Sequence, residues 1–190
     1  LGFYVTGAAF SMVSVSAGSD SYTGLSAGIT AAGLQGVSGV DLQVTGTVKL
    51  NQAPTAERVN WTTATNITND PDDLLADLDI LSAVQLQAQG SASLDIGGAV
   101  VAVVSDLTLN MATMDVVTGN AALGTAGTLE GADVLSFTIS GAELFVGSGA
   151  ELNAARDGIN RLSGEGSLTS DALGFYVTGA AFSMVSVSAG

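Results

Sequence analysis

LQVTGTVKL, residues 42–50, places Leu42, Val44, Gly46, Val48 and Leu50 at every second position, with Gln43, Thr45, Thr47 and Lys49 between them. Successive side chains of a β-strand point to opposite faces, so this alternation describes a strand with one apolar and one polar face. A helix of period 3.6 would not gather these residues on one side. LQAQGSASL, residues 86–94, repeats the pattern with Gly90 at the centre of the apolar face and Gln87, Gln89, Ser91 and Ser93 opposite. The central glycine marks a bend in a long strand or a place where a neighbouring strand or ring comes close. The chain is therefore expected to be all-β, a repetitive strand architecture.

Working outward, the first eighteen residues, LGFYVTGAAFSMVSVSAG, recur without a change at 173–190, an offset of 172. An exact match of that length is the mark of a tandem array, with 1–172 as one repeat unit and 173–190 as the start of the next. The alternative is a terminal strand duplicated for exchange between subunits. Strict alternation puts Phe3, Val5, Ala9, Val13 and Val15 on one side and Tyr4, Ala8, Phe10 and Met12 on the other. With apolar residues on both faces, the strand is expected to be the most buried of the chain or part of an inter-unit contact. Phe3, Tyr4, Phe10 and Met12, with their second copies Phe175, Tyr176, Phe182 and Met184, are the candidate assembly junction.

Glycines at 24, 46 and 90, and again at 119 and 141, are spaced by 22 or twice 22, and eight such steps come close to the 172-residue period. That spacing favours a β-solenoid, whose coils stack in parallel, with an antiparallel β-sandwich as the alternative. One segment departs from strand patterning. In NDPDDLLADLDIL, residues 69–81, Asp70 stands at a cap position, Pro71 follows it, and Leu74, Leu75 and Leu78 share a side, which predicts a short helix near 71–78.

Eighteen acids face four basic residues, for a net charge of −14, a balance that repels nucleic acid and anionic lipid. Cysteine and histidine are both absent, which removes thiolate sites, the usual general base and the commonest transition-metal ligand. No pair of carboxylates is marked for glycoside chemistry, so no enzyme is expected. The acid cluster Asp70, Asp72, Asp73, Asp77 and Asp79 offers the oxygen ligands that Ca²⁺ prefers, although its spacing is not that of an EF-hand and acids at a helix start already have a dipole role. Asn60 and Asn66 each open a glycosylation triplet. No apolar run is long enough for a transmembrane helix, and an outer-membrane barrel is disfavoured by the lack of aromatic girdles. The first residues lack the basic start of a leader peptide and sit inside strand patterning.

GVDLQVTGTVKLN (39–51), GADVLSFTISGAELFVGSG (131–149) and DALGFYVTGAAFSMVSV (171–187) resemble repeats of very large, acidic, Cys-free bacterial surface proteins, and the composition is similar to that of surface-layer proteins. The resemblance implies an extracellular or cell-surface role as a structural repeat in a fibre, matrix or adhesin stalk, with neighbouring repeats as its partners. The alternative is a ligand- or carbohydrate-binding adhesive module within such a stalk, using the 52–68 excursion and Trp61.

Overall fold

The computed structural model describes residues 2–55, 57–65, 75 and 78–189. Seven long strands form one antiparallel sheet: β1 (Gly2–Ala17), β2 (Asp20–Gln35), β3 (Val40–Gln52), β4 (Val84–Ile96), β5 (Val100–Val117), β6 (Thr128–Ser148) and, last in the chain, β9 (Leu173–Ser188). Between β6 and β9 a two-stranded hairpin, β7 (Glu151–Leu152) and β8 (Ile159–Asn160), makes a second small sheet. Neighbours in the large sheet are neighbours in sequence, so the chain is an up-and-down meander, and it does not close into a barrel.

All-β is therefore shown, while the parallel stacking of a β-solenoid is not what this sheet does: each of its ladders is antiparallel. The 22-residue glycine rhythm has another cause. Gly46 and Gly90 are cross-strand partners in the β3–β4 ladder, where a Cβ on Gly46 would lie 2.7 Å from the Gln89 carbonyl oxygen and one on Gly90 would run into that of Thr45. The two strands approach so closely there that no side chain fits. Of the helix expected near 71–78, residues 71–74, 76 and 77 lie outside the described residues; Leu75 and Leu78 are in irregular backbone, and among the described residues no helix forms.

The registers assign the faces. One row runs Phe10, Ala27, Val48, Ala88, Leu109, Phe137, Met184 across all seven strands. A neighbouring row runs Ala8, Ile29, Gly46, Gly90, Leu107, Ile139, Phe182. This face stays apolar over most of the strand length. The opposite face carries Thr45 hydrogen-bonded to Ser91 at 2.8 Å, Gln87 donating to Asn110 at 3.0 Å, and Lys49.

The chain's own covering segments both lie on the polar face. At one end the 53–83 connection places Trp61, Leu78 and Ile80 over Val13 and Gly24. At the other, β7, β8 and the loops around them pack Ala150 and Ile159 on Val101, Val103 and Phe145. The largest fully buried side chains, Trp61, Phe145, Ile80, Val101 and Val103, all belong to these two covers. On the bare apolar face Val48 remains 40% exposed and Ile96, Leu144 and Val146 are exposed as well.

Candidate functional site at the sheet edges

The two identical segments are the two edge strands of one sheet, β1 beside β2 and β9 beside β6. With seven strands in strict antiparallel alternation, β1 and β9 run in the same direction. Phe3, Tyr4, Phe10 and Met12 face Leu34, Gly33, Ala27 and Leu25 across one ladder. Their copies Phe175, Tyr176, Phe182 and Met184 face Val146, Phe145, Ile139 and Phe137 across the other. The eight junction residues are thus brought to opposite ends of the unit, with no contact between the two sets of four.

Burial departs from expectation. β1 is exposed along nearly its whole length on both faces, with Phe3, Phe10 and Met12 open to solvent, so it is not the most buried strand. Among the described residues nothing lies beyond its free edge or above its apolar face. The face assignment also changes at Gly7, which has φ +61°. Opposite this region β2 spends three residues, Ile29 to Ala32, where β3 spends two, Gly46 to Val44. The extra residue turns the strand over: Phe3 and Val5 share the apolar face with Ala8, Phe10 and Met12, whereas Tyr4, Ala9, Val13 and Val15 lie opposite. A left-handed φ suits glycine, and Gly179 repeats it at +65° in β9.

The two free edges are complementary. Along an antiparallel strand, alternate residues send their N–H and C=O to opposite edges. The row from Phe10 ends on Met184, the copy of Met12, two residues along on the same face. β1 and β9 therefore present the same residues to the same face while running in the same direction. The backbone groups that β1 uses toward β2 are those that β9 leaves open, and those that β9 uses toward β6 are open in β1.

The covers divide in the same way. In β1, Val13 lies under Trp61 and is 7% exposed; its copy Val185 in β9 is 66% exposed. In β9, Tyr176 packs on the 149–172 cover, with the Arg161 guanidinium carbon 3.7 Å from the ring centre. Tyr4 in β1 has no such lid and instead leans over Gly33, where a Cβ would meet its hydroxyl at 2.9 Å. Phe182 adds a tilted contact with Phe137, ring centres 6.1 Å apart.

Asp70, Asp72, Asp73 and Asp77 of the calcium candidate lie outside the described residues. Asp79, the fifth, pairs with Lys49 at 2.8 Å, and that hydrogen bond and charge hold its carboxyl below the usual range. Among the described residues no group of three or more acids gathers. The acids of the 149–172 cover are engaged in shaping it. Glu151 accepts from the backbone N–H of Ser167 at 2.6 Å, from the Ser167 hydroxyl and from Asn160, which lowers its pKa. Glu165 accepts from the N–H groups of Arg161 and Leu162 at 2.6 and 2.9 Å, with the same result. Arg156 reaches across to Asp41 at 2.5 Å and ties the cover to β3.

Trp61 lies inside its cover. Its ring is 1% exposed and its Nε1–H donates to Asn51 Oδ1 at 2.9 Å, while Asn51 Nδ2 donates to the carbonyls of Val59 and Leu81. Asn60 Oδ1 accepts from the Thr62 hydroxyl at 2.7 Å within its own turn, and Asn66 lies outside the described residues. Sequence reasoning missed Asn51 as the anchor of this cover; a lone amide at the end of an alternating strand, ten residues before the only tryptophan, was the available signal. No helix among the described residues is long and apolar enough to cross a membrane. Comparison with known proteins adds no relative: no protein family, no curated protein and no solved structure matches the chain.

Proposed function

We propose that the chain is a structural repeat whose units join edge to edge, the strand at 173–190 serving at once as the last strand of one unit and the first strand of the next. The observation that carries this reading is the identity of the two edge strands together with their complementary open edges. A shared strand would bond β6 of its own unit on one side and β2 of the following unit on the other. It would also receive both covers, the 149–172 cover over its Tyr176 end and the next unit's Trp61 cover over Val185. Each half of what β1 and β9 lack separately is supplied by the other's surroundings.

Cohesion then resides in backbone ladders that continue from unit to unit, and stability adds over neighbouring interfaces as in other repeat arrays. Sharing also removes the open edges, which are otherwise templates for uncontrolled pairing. The role is mechanical, a fibre, matrix or adhesin stalk, rather than catalytic. An extracellular or cell-surface location follows from the resemblance to bacterial surface repeats. The burial of Trp61 favours the structural role over a carbohydrate-binding one.

Six long strands per unit, at ~4.8 Å spacing, advance the sheet by about 29 Å. Electron microscopy of chains carrying increasing numbers of units tests the proposal. Continuous ribbons lengthening by about 29 Å per unit are expected; separate globules joined by linkers would overturn it.

A further inference from the structure

The apolar face of the sheet needs a cover that none of the described residues provides. Seven strands at ~4.8 Å and about six residue rows at ~6.8 Å span roughly 29 by 34 Å, on the order of 1,000 Å². The largest apolar patch of an ordinary monomer is about 300–600 Å². The described residues of both covering segments, 53–83 and 149–172, sit on the other face, at its two ends.

We propose that the occupant is the apolar face of a second copy of this sheet, the two packing as layers of an antiparallel sandwich. The size suits such a partner, since a stable interface buries about 800 Å² on each side. The chemistry disfavours lipid. Surfaces that face a bilayer are rimmed by Tyr and Trp. Here Tyr4, Tyr22, Tyr176 and Trp61 all lie on the opposite face. A net charge of −14 also repels anionic headgroups. The surface has a matching relief: a trough of about 580 Å³ lies among Phe10, Ala27, Val44, Val48, Ala92 and Leu107, deepened by the Gly46–Gly90 pair. Side chains from a facing sheet, about 10 Å away backbone to backbone, fill such a trough. This inference does not depend on edge sharing, because a single unit exposes the same face.

The test uses the 190-residue chain in solution. Light scattering coupled to size exclusion should find a dimer or larger assembly, and Val44→Asp with Val48→Asp should convert it to a monomer of unchanged strand content by circular dichroism. A monomeric unsubstituted chain would overturn the proposal. Should the double variant fail to fold, the natural absence of cysteine allows a second measurement. A thiol introduced by Ala88→Cys, on the apolar face, should react with maleimide severalfold more slowly than one introduced by Gln89→Cys on the polar face. Equal rates would overturn the proposal, as would flotation of the protein as a monomer with phosphatidylcholine–phosphatidylglycerol vesicles. To separate this failure from failure of the edge junction, Ser14→Pro and Val187→Pro in one chain, whose N–H groups point away from β2 and from β6 respectively, should block lengthwise growth and leave the two-layer pair intact.

Discussion

β1 and β9 are drawn from the same eighteen-residue sequence and have different fates. Val13 is nearly inaccessible under Trp61 and Val185 stands in solvent; Tyr176 has a guanidinium over its ring and Tyr4 has none. The sequence of a segment decides that it is a strand, through alternation and β-branching, but burial is decided by what the rest of the chain lays upon it. The comparison also shows what each copy lacks. Every group left open in one has a partner in the surroundings of the other, which is why a single shared strand would satisfy both.

The largest expected effect comes from removing the lid that distinguishes β1. Trp61→Ala deletes a fully buried ring and its hydrogen bond to Asn51, and should cost about 3–5 kcal/mol. Denaturant unfolding would measure it, and amide exchange should show the loss concentrated along β1 and β2, with β9 still protected. Equal loss at both edges would break the comparison. Next in size is Gly90→Val, which pushes a branched side chain into the Thr45 carbonyl and should destabilise by about 1–3 kcal/mol or more. A neutral result there would mean that β3 and β4 are not so closely paired.

A sharper contrast is Val13→Ala against Val185→Ala, the same change in the same sequence. The first should cost on the order of 1–2 kcal/mol, the second no more than about 0.5 kcal/mol in the single unit. In a chain of two units the substitution at the inner copy should behave like the first. The smallest effect concerns the 149–172 cover and pH. Glu151 and Glu165 have lowered pKa values through the N–H groups they accept from. Their contribution is complete above the ordinary carboxylate pKa near 4.5 and is lost as pH falls through their lower folded values. Amides of Ser167, Arg161 and Leu162 should therefore lose protection, measured against the intrinsic exchange rate at each pH, as the medium is acidified below that point, before β3 and β4 open. Unchanged relative rates would remove these carboxylates from the account.

The strand class was legible from residues 42–50 and 86–94 because a half-covered strand writes its two faces directly into alternation. The direction of pairing was not. Glycines 22 or 44 apart suggested stacked coils, yet Gly46 and Gly90 meet as hairpin-type partners, since equal distance along the chain is compatible with either ladder. The candidate junction residues were read from the repeat alone, but their faces were misassigned past Gly7, because an extra residue held at positive φ breaks strict alternation without any mark beyond the glycine itself. The Trp61–Asn51 anchor and the carboxylates of the 149–172 cover depend on loops closing over a distant strand, which spacing cannot report. The bare apolar face was present in the alternation from the start. What was invisible is that both covers go to the other side.

The most direct measurement of the shared strand is residue-resolved amide exchange on a chain of two consecutive 172-residue units. In the 190-residue chain, β9 should show alternating protection, with the amides facing β6 slow and those facing the open edge fast. In the two-unit chain the fast amides of that strand should become slow as well, and the valine equivalent to Val185 should lose its solvent exposure. Retention of the alternating pattern in the longer chain would contradict the account.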